Sequence, residues 1–522
     1  MEKHLSIISA LLFFVLGNST AQTFQKTYGG TNGDSGSSVQ QTSDGGYVIT
    51  GSATNFGAGN TDVYLIKTDA GGNTLWTKTF GGTDVDVGNS VQQTADGGYV
   101  IAGTTWSFGA GINDVYLIKT NSVGDTLWTK TFGGTNIDFG SCVQQTADGG
   151  YIIAGHTQSF GAGLNDVYLI KTDSVGDTLW TKTFGGTSDD LGSFVKQTAD
   201  GGYIIAGQTL SFVAGNRDVY IIKTNAFGDT LWTKSFGIDS TESGHSIQQT
   251  SDGGYIIVGR TLNYGVGNTD VYLIKTDTGG NTLWTKTFGD TLEDEYGQSV
   301  QQTSDGGYII AGRTTANNWD VLLIKTDAGG NSLWTKTFGG NGQDNGFSVQ
   351  ETADGGYIIA ANTTSFGAGY IDVYLIKTDS LGNSGCNEGS PPIIVTTPAS
   401  IIGTPATIVT SPATIVTSPA TIVGSGGNGI TLCTTVGINE IVWDNYFIIS
   451  PNPSAGNFIL SFEEKVIKGT VKILNILGEN LFAENIFNES KKEINLQNIS
   501  AGIYLVKVDN GEKQYTEKVI IK

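Results

Sequence analysis

The chain has 522 residues, of which 76 are glycine and 38% are hydrophobic, and its formal net charge is −21. This composition favours an all-β protein with many tight turns, because glycine weakens helix interiors and so many apolar and aromatic residues argue against disorder. The acidic balance argues against nucleic acid and anionic membrane surfaces as partners, since both require a basic face.

Residues 1–21 are predicted to be a secretory signal peptide. Lys3 supplies a positive charge, residues 5–16 form an apolar core, and small residues at 19–21 offer a cleavage site. The apolar core is too short to span a membrane, and no later segment reaches 18 apolar residues, so no transmembrane segment is expected. A buried N-terminal helix or strand is the alternative.

Residues 22–384 are predicted to contain seven similar units. The tetrapeptide Asp-Gly-Gly-Tyr recurs every 49 to 53 residues, which indicates a solenoid, a propeller or an array. It begins at Asp44, Asp96, Asp148, Asp200, Asp252, Asp305 and Asp354. Each unit holds four strand-like runs joined by Asp-Gly, Gly-Asp or Gly-Asn turns, and its second and third runs are continuously apolar. Four short strands per repeat are typical of a propeller blade.

The two ends of the repeat array are complementary. Residues 24–30 match the fourth run of a unit, and the seventh unit lacks its own fourth run. An N-terminal strand that completes the last unit would close a ring and remove the open sheet edge of a linear array. The sequence therefore predicts a seven-bladed β-propeller, with a linear solenoid as the alternative.

The units also resemble a known repeat family. The motifs GG-T-x-x-D-x-G, DGGYIIAG, DVYLIKTD and GN-x-LW are similar to the bacterial SBBP-type β-propeller repeats of secreted proteins. The resemblance covers about residues 23–384 and implies the propeller fold. It implies no activity, because propellers host unrelated functions.

One face of the predicted ring collects acidic and aromatic side chains. Each first run begins with an acid two positions before a glycine, namely Asp34, Asp86, Asp138, Asp190, Glu242, Glu295 and Asp344. Each third run also begins with an acid, namely Asp62, Asp114, Asp166, Asp218, Asp270, Asp320 and Asp372. Such a face could bind a sugar, a peptide or calcium, but short acids at turns more often accept backbone N–H bonds. We favour the structural role.

Candidate ligand-binding residues are sought where the units differ, because a ligand site usually breaks the symmetry of repeats. The departures in the fourth to sixth units are Arg217, Arg260, Arg313, Trp319 and His245. The predicted ligand contacts are Trp319, Arg260 and Arg313, together with the loop aromatics Phe56, Phe108 and Phe160. The six tryptophans that recur at one position of the fourth runs are predicted to pack between blades and not to contact a ligand.

A metal site and a catalytic site receive little support from the sequence. Calcium takes six to eight oxygens, so Glu293, Asp294 and Glu295 are predicted to form at most a weak calcium site, and no other cofactor is expected. No zinc or metalloprotease spacing is present, and no catalytic residue stands out. Residues 424–429 fit G-x-G-x-x-G without a surrounding βαβ unit, which indicates a flexible hinge and not a nucleotide site.

Residues 385–440 differ from the repeats. Tandem Thr-Pro-Ala-Thr-Ile-Val and Ser-Pro-Ala-Thr-Ile-Val sequences predict an extended linker that leaves room for a few ordered strands. Cys386 and Cys433 flank this segment and are predicted to form a disulfide after export, with two free thiols as the alternative. Cys142 stands where several other units have serine, so a buried structural thiol is expected.

Residues 441–522 are predicted to form a small C-terminal β-sandwich domain. The motifs Ser450-Pro451-Asn452-Pro453, 456–458, 471–478, 501–508 and 518–522 resemble the type A C-terminal sorting domain of the type IX secretion system. The resemblance implies a protein of the Bacteroidota, contact with the type IX machinery, passage across the outer membrane, and release or attachment at the cell surface. An ordinary β-sandwich module is the alternative.

Two classes of function remain open at this point. The first is a non-enzymatic binding or adhesion module for an extracellular glycan or protein. The second is a secreted propeller enzyme that acts on polysaccharide. The near-identity of the units favours the binding module, since catalysis needs one unit to carry a placed acid, base or nucleophile.

Overall fold

The computed structural model is all-β, and every regular element in its described part is a strand. It describes residues 22–522 except 55, 213–215, 238–239, 263, 399–400, 404–407, 411–414, 418–421, 425, 436–446, 453, 455, 476–478, 497–498, 511–513 and 522. The predicted signal peptide lies outside the described residues. The chain divides into two compact units, Met1–Val436 and Gly437–Lys522. The all-β class predicted from composition is confirmed.

The first unit contains seven antiparallel sheets of five strands each. Their chain-order strands begin with β1 (Thr23–Gly29), β2 (Asp34–Gln41), β3 (Tyr47–Ala53), β4 (Asp62–Thr68), β5 (Thr74–Gly81), β6 (Asp86–Gln93), β7 (Tyr99–Thr105), β8 (Asp114–Thr120), β9 (Thr126–Gly133), β10 (Asp138–Gln145), β11 (Tyr151–Thr157), β12 (Asp166–Thr172), β13 (Thr178–Gly185) and β14 (Asp190–Gln197). They continue with β15 (Tyr203–Thr209), β16 (Asp218–Thr224), β17 (Thr230–Gly237), β18 (Glu242–Gln249), β19 (Tyr255–Leu262), β20 (Thr269–Thr276), β21 (Thr282–Gly289), β22 (Glu295–Gln302), β23 (Tyr308–Thr314), β24 (Asp320–Thr326), β25 (Ser332–Phe338), β26 (Asp344–Glu351), β27 (Tyr357–Thr363) and β28 (Asp372–Thr378).

Sheets one to six each take four consecutive strands, from β2–β5 to β22–β25. The first strands of neighbouring sheets contact each other in cyclic order, and β2 of the first sheet also contacts β26 of the seventh. A cavity on the central axis is lined by residues of all seven first strands. This propeller-like arrangement contradicts the linear solenoid, in which the first and last sheets would not meet.

The seventh sheet is completed by the N-terminal strand, as predicted. β1 pairs antiparallel with β28, from Phe24 opposite Lys377 to Tyr28 opposite Val373. Phe24 meets the ring of Tyr47 in the next sheet at 6.0 Å, edge to face. It takes the position that the fourth-strand tryptophans hold at the other junctions.

The hydrophobic core lies between neighbouring sheets. Val63, Leu65 and Phe80 of the first sheet pack with Tyr99 and Ile101 of the second, and equivalent clusters fill the other junctions. The second and third strands are therefore buried on both faces, which explains their continuously apolar sequence. The fourth-strand tryptophans pack across the same junctions, with Trp76 and Tyr99 centroids 5.8 Å apart, so their predicted core role is confirmed.

Glutamine side chains join the innermost strands across the junctions. The Gln40 Oε1 atom accepts the backbone N–H of Gln93 at 2.6 Å, and the Gln350 Oε1 atom accepts that of Gln41 at 2.7 Å. The second of these bonds crosses from the seventh sheet to the first. The junction that closes the ring is thus built like the interior ones.

The described residues between 386 and 435, most of the segment predicted as a linker with room for a few ordered strands, form a belt around the seven sheets. Its strands are β29 (Glu388–Gly389), β30 (Ile394–Thr396), β31 (Ile401–Gly403), β32 (Ile408–Thr410), β33 (Ile415–Thr417), β34 (Ile422–Gly424) and β35 (Asn428–Thr435). They pair in turn with β25, β21, β17, β13, β9, β5 and β1. Five of the seven begin seven residues apart, so each heptapeptide advances the belt by one sheet.

The belt covers the outer edge strand of every sheet. Its triplets pair antiparallel with the Thr-Phe-Gly end of a fourth strand, for example residues 408–410 with 183–185. Hydroxyl groups add bonds, because Thr287 Oγ1 lies 2.6 Å from Thr396 Oγ1 and Thr335 Oγ1 donates to the Pro391 carbonyl at 2.6 Å. Short β-branched strands of this kind protect edges that could otherwise pair with other chains.

A disulfide closes the belt. Cys386 and Cys433 are bonded, as predicted, and are 47 residues apart in sequence. Gln25 of β1 lies opposite Cys433 and donates from its side chain to the Cys386 carbonyl. The covalent loop therefore begins and ends at the seventh sheet after passing all the others. Gly424 and residues 426–429 belong to this belt, where Tyr64 Oη donates to the Gly426 carbonyl at 2.9 Å. The hinge interpretation stays a prediction.

The second unit is one five-stranded antiparallel sheet folded around its own core. Its strands are β36 (Phe447–Ser450), β37 (Asn457–Leu474), β38 (Asn480–Asn495), β39 (Gly502–Asp509) and β40 (Gln514–Ile521). The first part of β37 pairs with β36, the last part pairs with β39, and β38 runs along both parts. The predicted sandwich of two separate sheets stays a prediction.

Candidate functional site

The acids that open the first strands serve turn structure. Asp86 Oδ2 accepts the Gly82 N–H at 2.8 Å and the Ser107 hydroxyl at 2.7 Å. Asp138 holds Gly134 and Ser159 in the same way in the next sheet. These carboxylates organise the loop that precedes their own strand and the loop that follows the second strand. The structural role favoured from the sequence is confirmed.

The acids that open the third strands are also structural. Asp166 Oδ2 accepts the backbone N–H groups of Ala162 and Gly163, both at 3.0 Å. Desolvation by burial and, to a smaller extent, the neighbouring Asp190 charge raise the pKa of Asp166 to about 6. A pKa of about 6 also applies to Asp114 and Asp320 for the same reasons. Paired acids therefore recur at the sheet junctions.

The loop aromatics pack within their own sheets. Phe56 lies 6.0 Å from Tyr64, and Phe108 and Phe160 lie 5.9 Å from Tyr116 and Tyr168. All three are partly buried against the hydrophobic core. The structure does not bring them together with Arg260, Arg313 or Trp319, and their role as ligand contacts stays a prediction.

Arg260, Arg313 and Trp319 do come together, around Tyr296. The guanidinium carbons of Arg260 and Arg313 lie 5.4 and 4.7 Å from the centre of the Tyr296 ring. Arg313 is also 4.7 Å from the centre of Trp319, whose ring is 5.6 Å from that of Tyr296. We name these four residues the arginine–aromatic cluster. Its arginines are held by aromatic faces, which attract cations through the ring quadrupole.

A hydrogen-bond relay positions Arg260. Its Nε donates to Ser243 Oγ at 3.3 Å, and Ser243 Oγ is 3.0 Å from His245 Nε2. His245 Nδ1 faces the Gly297 carbonyl at 2.7 Å, so Nδ1 carries a proton and Nε2 accepts the Ser243 hydroxyl. Burial, with smaller contributions from the two arginines, lowers the pKa of His245 to about 4. The imidazole is therefore neutral at pH 7.

The two guanidinium groups have no acidic partner in the part of the chain that the structure describes. Every salt bridge there uses a lysine. Arg313 donates from Nη1 to Asn345 Oδ1 at 3.3 Å, while its Nε is buried without a hydrogen-bond partner among the described residues. Burial and the nearby Arg260 charge lower the pKa of Arg313. In an acidic protein, this cluster presents unneutralised positive charge.

Trp319 is placed by an unusual loop. The sixth sheet joins its second and third strands with five residues, 315–319, where the second sheet uses eight, 106–113. Asn317, Asn318 and Trp319 all have positive φ, of 53°, 73° and 75°. A bulky residue at positive φ is sterically strained, and such strain concentrates at functional sites. The shortened loop holds the indole beside Tyr296 and Arg313.

His245 is among the departures that the sequence singles out, whereas Tyr296 and Ser243 are not. The signal that would have found them is variation at one position, the residue after the acid that opens each first strand. That position is Ser35, Val87, Phe139, Leu191, Ser243, Tyr296 and Asn345. Its cross-strand partners vary too, as Ser52, Thr104, His156, Gln208, Arg260, Arg313 and Asn362. Arg217 lies outside this cluster, where its backbone forms an isolated parallel β-bridge with Thr241.

The acidic loop before the sixth sheet is occupied by hydrogen bonds of its own. Glu295 accepts the Thr314 hydroxyl and the Asp290 N–H, Asp294 accepts the Thr269 N–H, and Glu293 accepts the Thr315 hydroxyl. Among the described residues, no group of three or more His, Cys, Asp or Glu is placed to hold a metal ion. The weak calcium site predicted at Glu293, Asp294 and Glu295 is not assembled here. Cys142 is a buried free thiol, as expected.

Residues 449–522 match the family described as the secretion system C-terminal sorting domain. Proteins with this domain are exported by the type IX secretion system. The chain is thus a type IX-secreted protein, located at the cell surface or outside the cell. No helix in the described residues is long and apolar enough to cross a membrane.

Two further similarities are weak. The chain is 25% identical over 178 residues to the protein named Regulatory protein FlaEY of Caulobacter vibrioides, a match that covers 29% of this chain and 18% of that protein's length. A structural match is the extracellular domain of a protein described as a hybrid two-component system from B. thetaiotaomicron, at 11% identity and a TM-score of 0.27. It covers 93% of this chain and 67% of that chain. At this TM-score, nothing about fold or function is transferred.

Proposed function

We propose that the chain is a secreted or cell-surface seven-bladed β-propeller, preceded by a signal peptide, that binds an extracellular ligand at the arginine–aromatic cluster. The supporting observation is a break in symmetry. Seven nearly identical units present different side chains at the beginning of the innermost strands, and two arginines and two aromatic rings meet at one place only in the described residues. A structural role would call for the same residues in every unit.

An enzymatic role receives less support. Ser243 and His245 share the hydrogen bond that a nucleophile and its base would share. However, Ser243 is 0% exposed, so its hydroxyl has no access to a substrate. The pair instead orients Arg260. We therefore retain the binding module and do not propose catalysis on polysaccharide.

The binding proposal is tested on a glycan array and a panel of extracellular proteins with the full secreted protein. We expect a subset of ligands to be retained, and Trp319→Ala to abolish their retention. Tyr370→Ala is the matched control, because Tyr370 is an exposed aromatic of the corresponding loop in the seventh sheet. Equal retention by all three proteins, or no ligand at all, would contradict the proposed site.

Export is tested by removing the sorting domain. We expect a chain that ends at Gly437 to enter the periplasm and remain there, because the predicted signal peptide is intact and the domain matched at 449–522 is missing. The measurement is an immunoblot of periplasmic and culture fractions beside the full chain. A truncated chain found outside the cell at the normal level would show that export does not need this domain.

A further inference from the structure

The arginine–aromatic cluster carries a second inference, about the class of ligand. Arg260 and Arg313 contact one tyrosine ring, so two positive charges lie close together. Burial and, to a smaller extent, the Arg260 charge lower the pKa of Arg313. No aspartate or glutamate neutralises either group among the described residues, although the chain carries 49 acids. Repulsion between two cations is relieved when an anion binds between or beside them.

We propose that the cluster binds an anionic sugar unit, a pyranose bearing a carboxylate or a sulfate ester, within an extracellular acidic polysaccharide. This inference rests on the proposed function and adds the chemistry of the ligand. The guanidinium groups would bind the anion, since their planar donor sets match carboxylate and sulfate oxygens.

The aromatic half of the cluster favours a sugar over an acidic peptide. The Tyr296 and Trp319 rings are inclined by 30° with centroids 5.6 Å apart, and both are partly exposed. The arginines cover part of these rings, and the exposed remainder offers an apolar surface with polar edges that suits the apolar face of a pyranose. The strained backbone at 317–319 fixes the Trp319 ring in place before a ligand arrives, so little ordering of this side chain is required on binding.

The geometry also assigns separate roles to the two arginines. Arg260 is fixed through Nε by Ser243 and His245, whereas the Nε of Arg313 has no partner in the described structure and one Nη contacts Asn345. The second Nη group of Arg313 is not among the buried donors and makes no hydrogen bond within the described residues, so it can donate to an anion from outside the protein. Arg313 is thus the expected primary contact to the anion, with Arg260 as a second charge.

The test is isothermal titration of the full secreted protein with four polymers at low salt. Polygalacturonate carries carboxylates, dextran sulfate carries sulfate esters, dextran is the neutral control, and poly-glutamate is the acidic peptide. We expect one or both acidic polysaccharides to bind, dextran not to bind, and affinity to fall as salt rises. Arg313→Gln should weaken binding by about tenfold to a hundredfold, the loss typical of a charged hydrogen bond, and Arg260→Gln should weaken it less. Arg217→Gln, outside the cluster, should leave it unchanged.

The outcomes separate this inference from the proposed function. Neutral-glycan binding that Trp319→Ala abolishes and Arg313→Gln does not affect would overturn the anionic ligand and leave the binding function in place. Tighter binding of poly-glutamate than of either acidic polysaccharide would replace the sugar by an acidic peptide. If acidic polymers bind equally to Arg217→Gln and to the Arg260→Gln, Arg313→Gln double variant, attraction is non-specific and the inference is wrong. Melting curves confirm that each variant is folded.

Discussion

Deletion of residues 22–28 is expected to destabilise the entire first unit. These residues include all but the last residue of β1, which pairs with β28 on one side and with the belt strand β35 on the other. Phe24 and Tyr28 are 0% and 1% exposed in the core between the seventh and first sheets. Their loss opens that core and leaves two sheet edges unpaired. We expect the melting temperature to fall by about 10 °C or more.

A single substitution tests the same junction with a matched control. Phe24→Ala should lower the free energy of unfolding by about 3–5 kcal/mol, the usual loss for a fully buried phenylalanine. Leu75, the residue before the equivalent tryptophan of the first unit, is 57% exposed, so Leu75→Ala should change it by less than about 0.5 kcal/mol. Guanidinium unfolding monitored by tryptophan fluorescence measures both. If the deletion leaves thermal unfolding unchanged, β1 does not close the ring.

Breaking the disulfide is expected to have the second large effect. The bridge joins Cys386 and Cys433, which are 47 residues apart in sequence. In the chain-entropy model, closing a loop of this length stabilises the folded state by about 4 kcal/mol. Cys433→Ser should therefore lower the free energy of unfolding by roughly this amount. The belt would lose its covalent closure, and its short edge strands would open first under limited proteolysis.

Cys142→Ser is the control for this experiment. It removes the free cysteine, leaves the bridge intact, and introduces the residue found at the equivalent positions 38, 90, 246, 299 and 348. We expect it to unfold close to the wild-type concentration of denaturant. A protein cut once within the belt should also keep both fragments together until a reductant is added. Identical unfolding of the oxidised and reduced wild-type protein would mean that the belt contributes no stability.

The repeated sheets could be predicted from the sequence because their determinants are local. Each hairpin is encoded by a turn such as Asp96-Gly97-Gly98, where Gly97 has a φ of 81° that few other residues adopt. The apolar second and third strands are adjacent in the chain to the turns that pair them. The role of β1 was also predictable, since residues 24–30 match a fourth strand and the seventh unit lacks its own fourth strand. The likeness to SBBP-type repeats stays a prediction.

The candidate site was predictable only in part. Arg260, Arg313 and Trp319 stood out because they differ from the other units, and the structure brings them into contact. Tyr296 joins them because the second strands of two neighbouring sheets present their arginines to one first strand, and Arg260 and Tyr296 are 36 residues apart in the chain. Phe56, Phe108 and Phe160 were also selected from the sequence, but each packs against a core tyrosine of its own sheet. The sequence does not show this contact.

The sequence by itself determined the all-β class, the repeated sheets, the complementary N-terminal strand, the disulfide partners and the sorting domain. The class, the sheets and the sorting domain depend on turns, apolar runs and motifs that are local, and the N-terminal strand is recognised because it repeats such a motif. Only the tertiary structure decided the belt and the arginine–aromatic cluster. Three-residue Ile-Val-Thr strands have too little surface to form a sheet alone, and their partners are distant fourth strands, such as β9 for β33. Their order emerges because a closed ring offers equally spaced edges that a seven-residue repeat can follow.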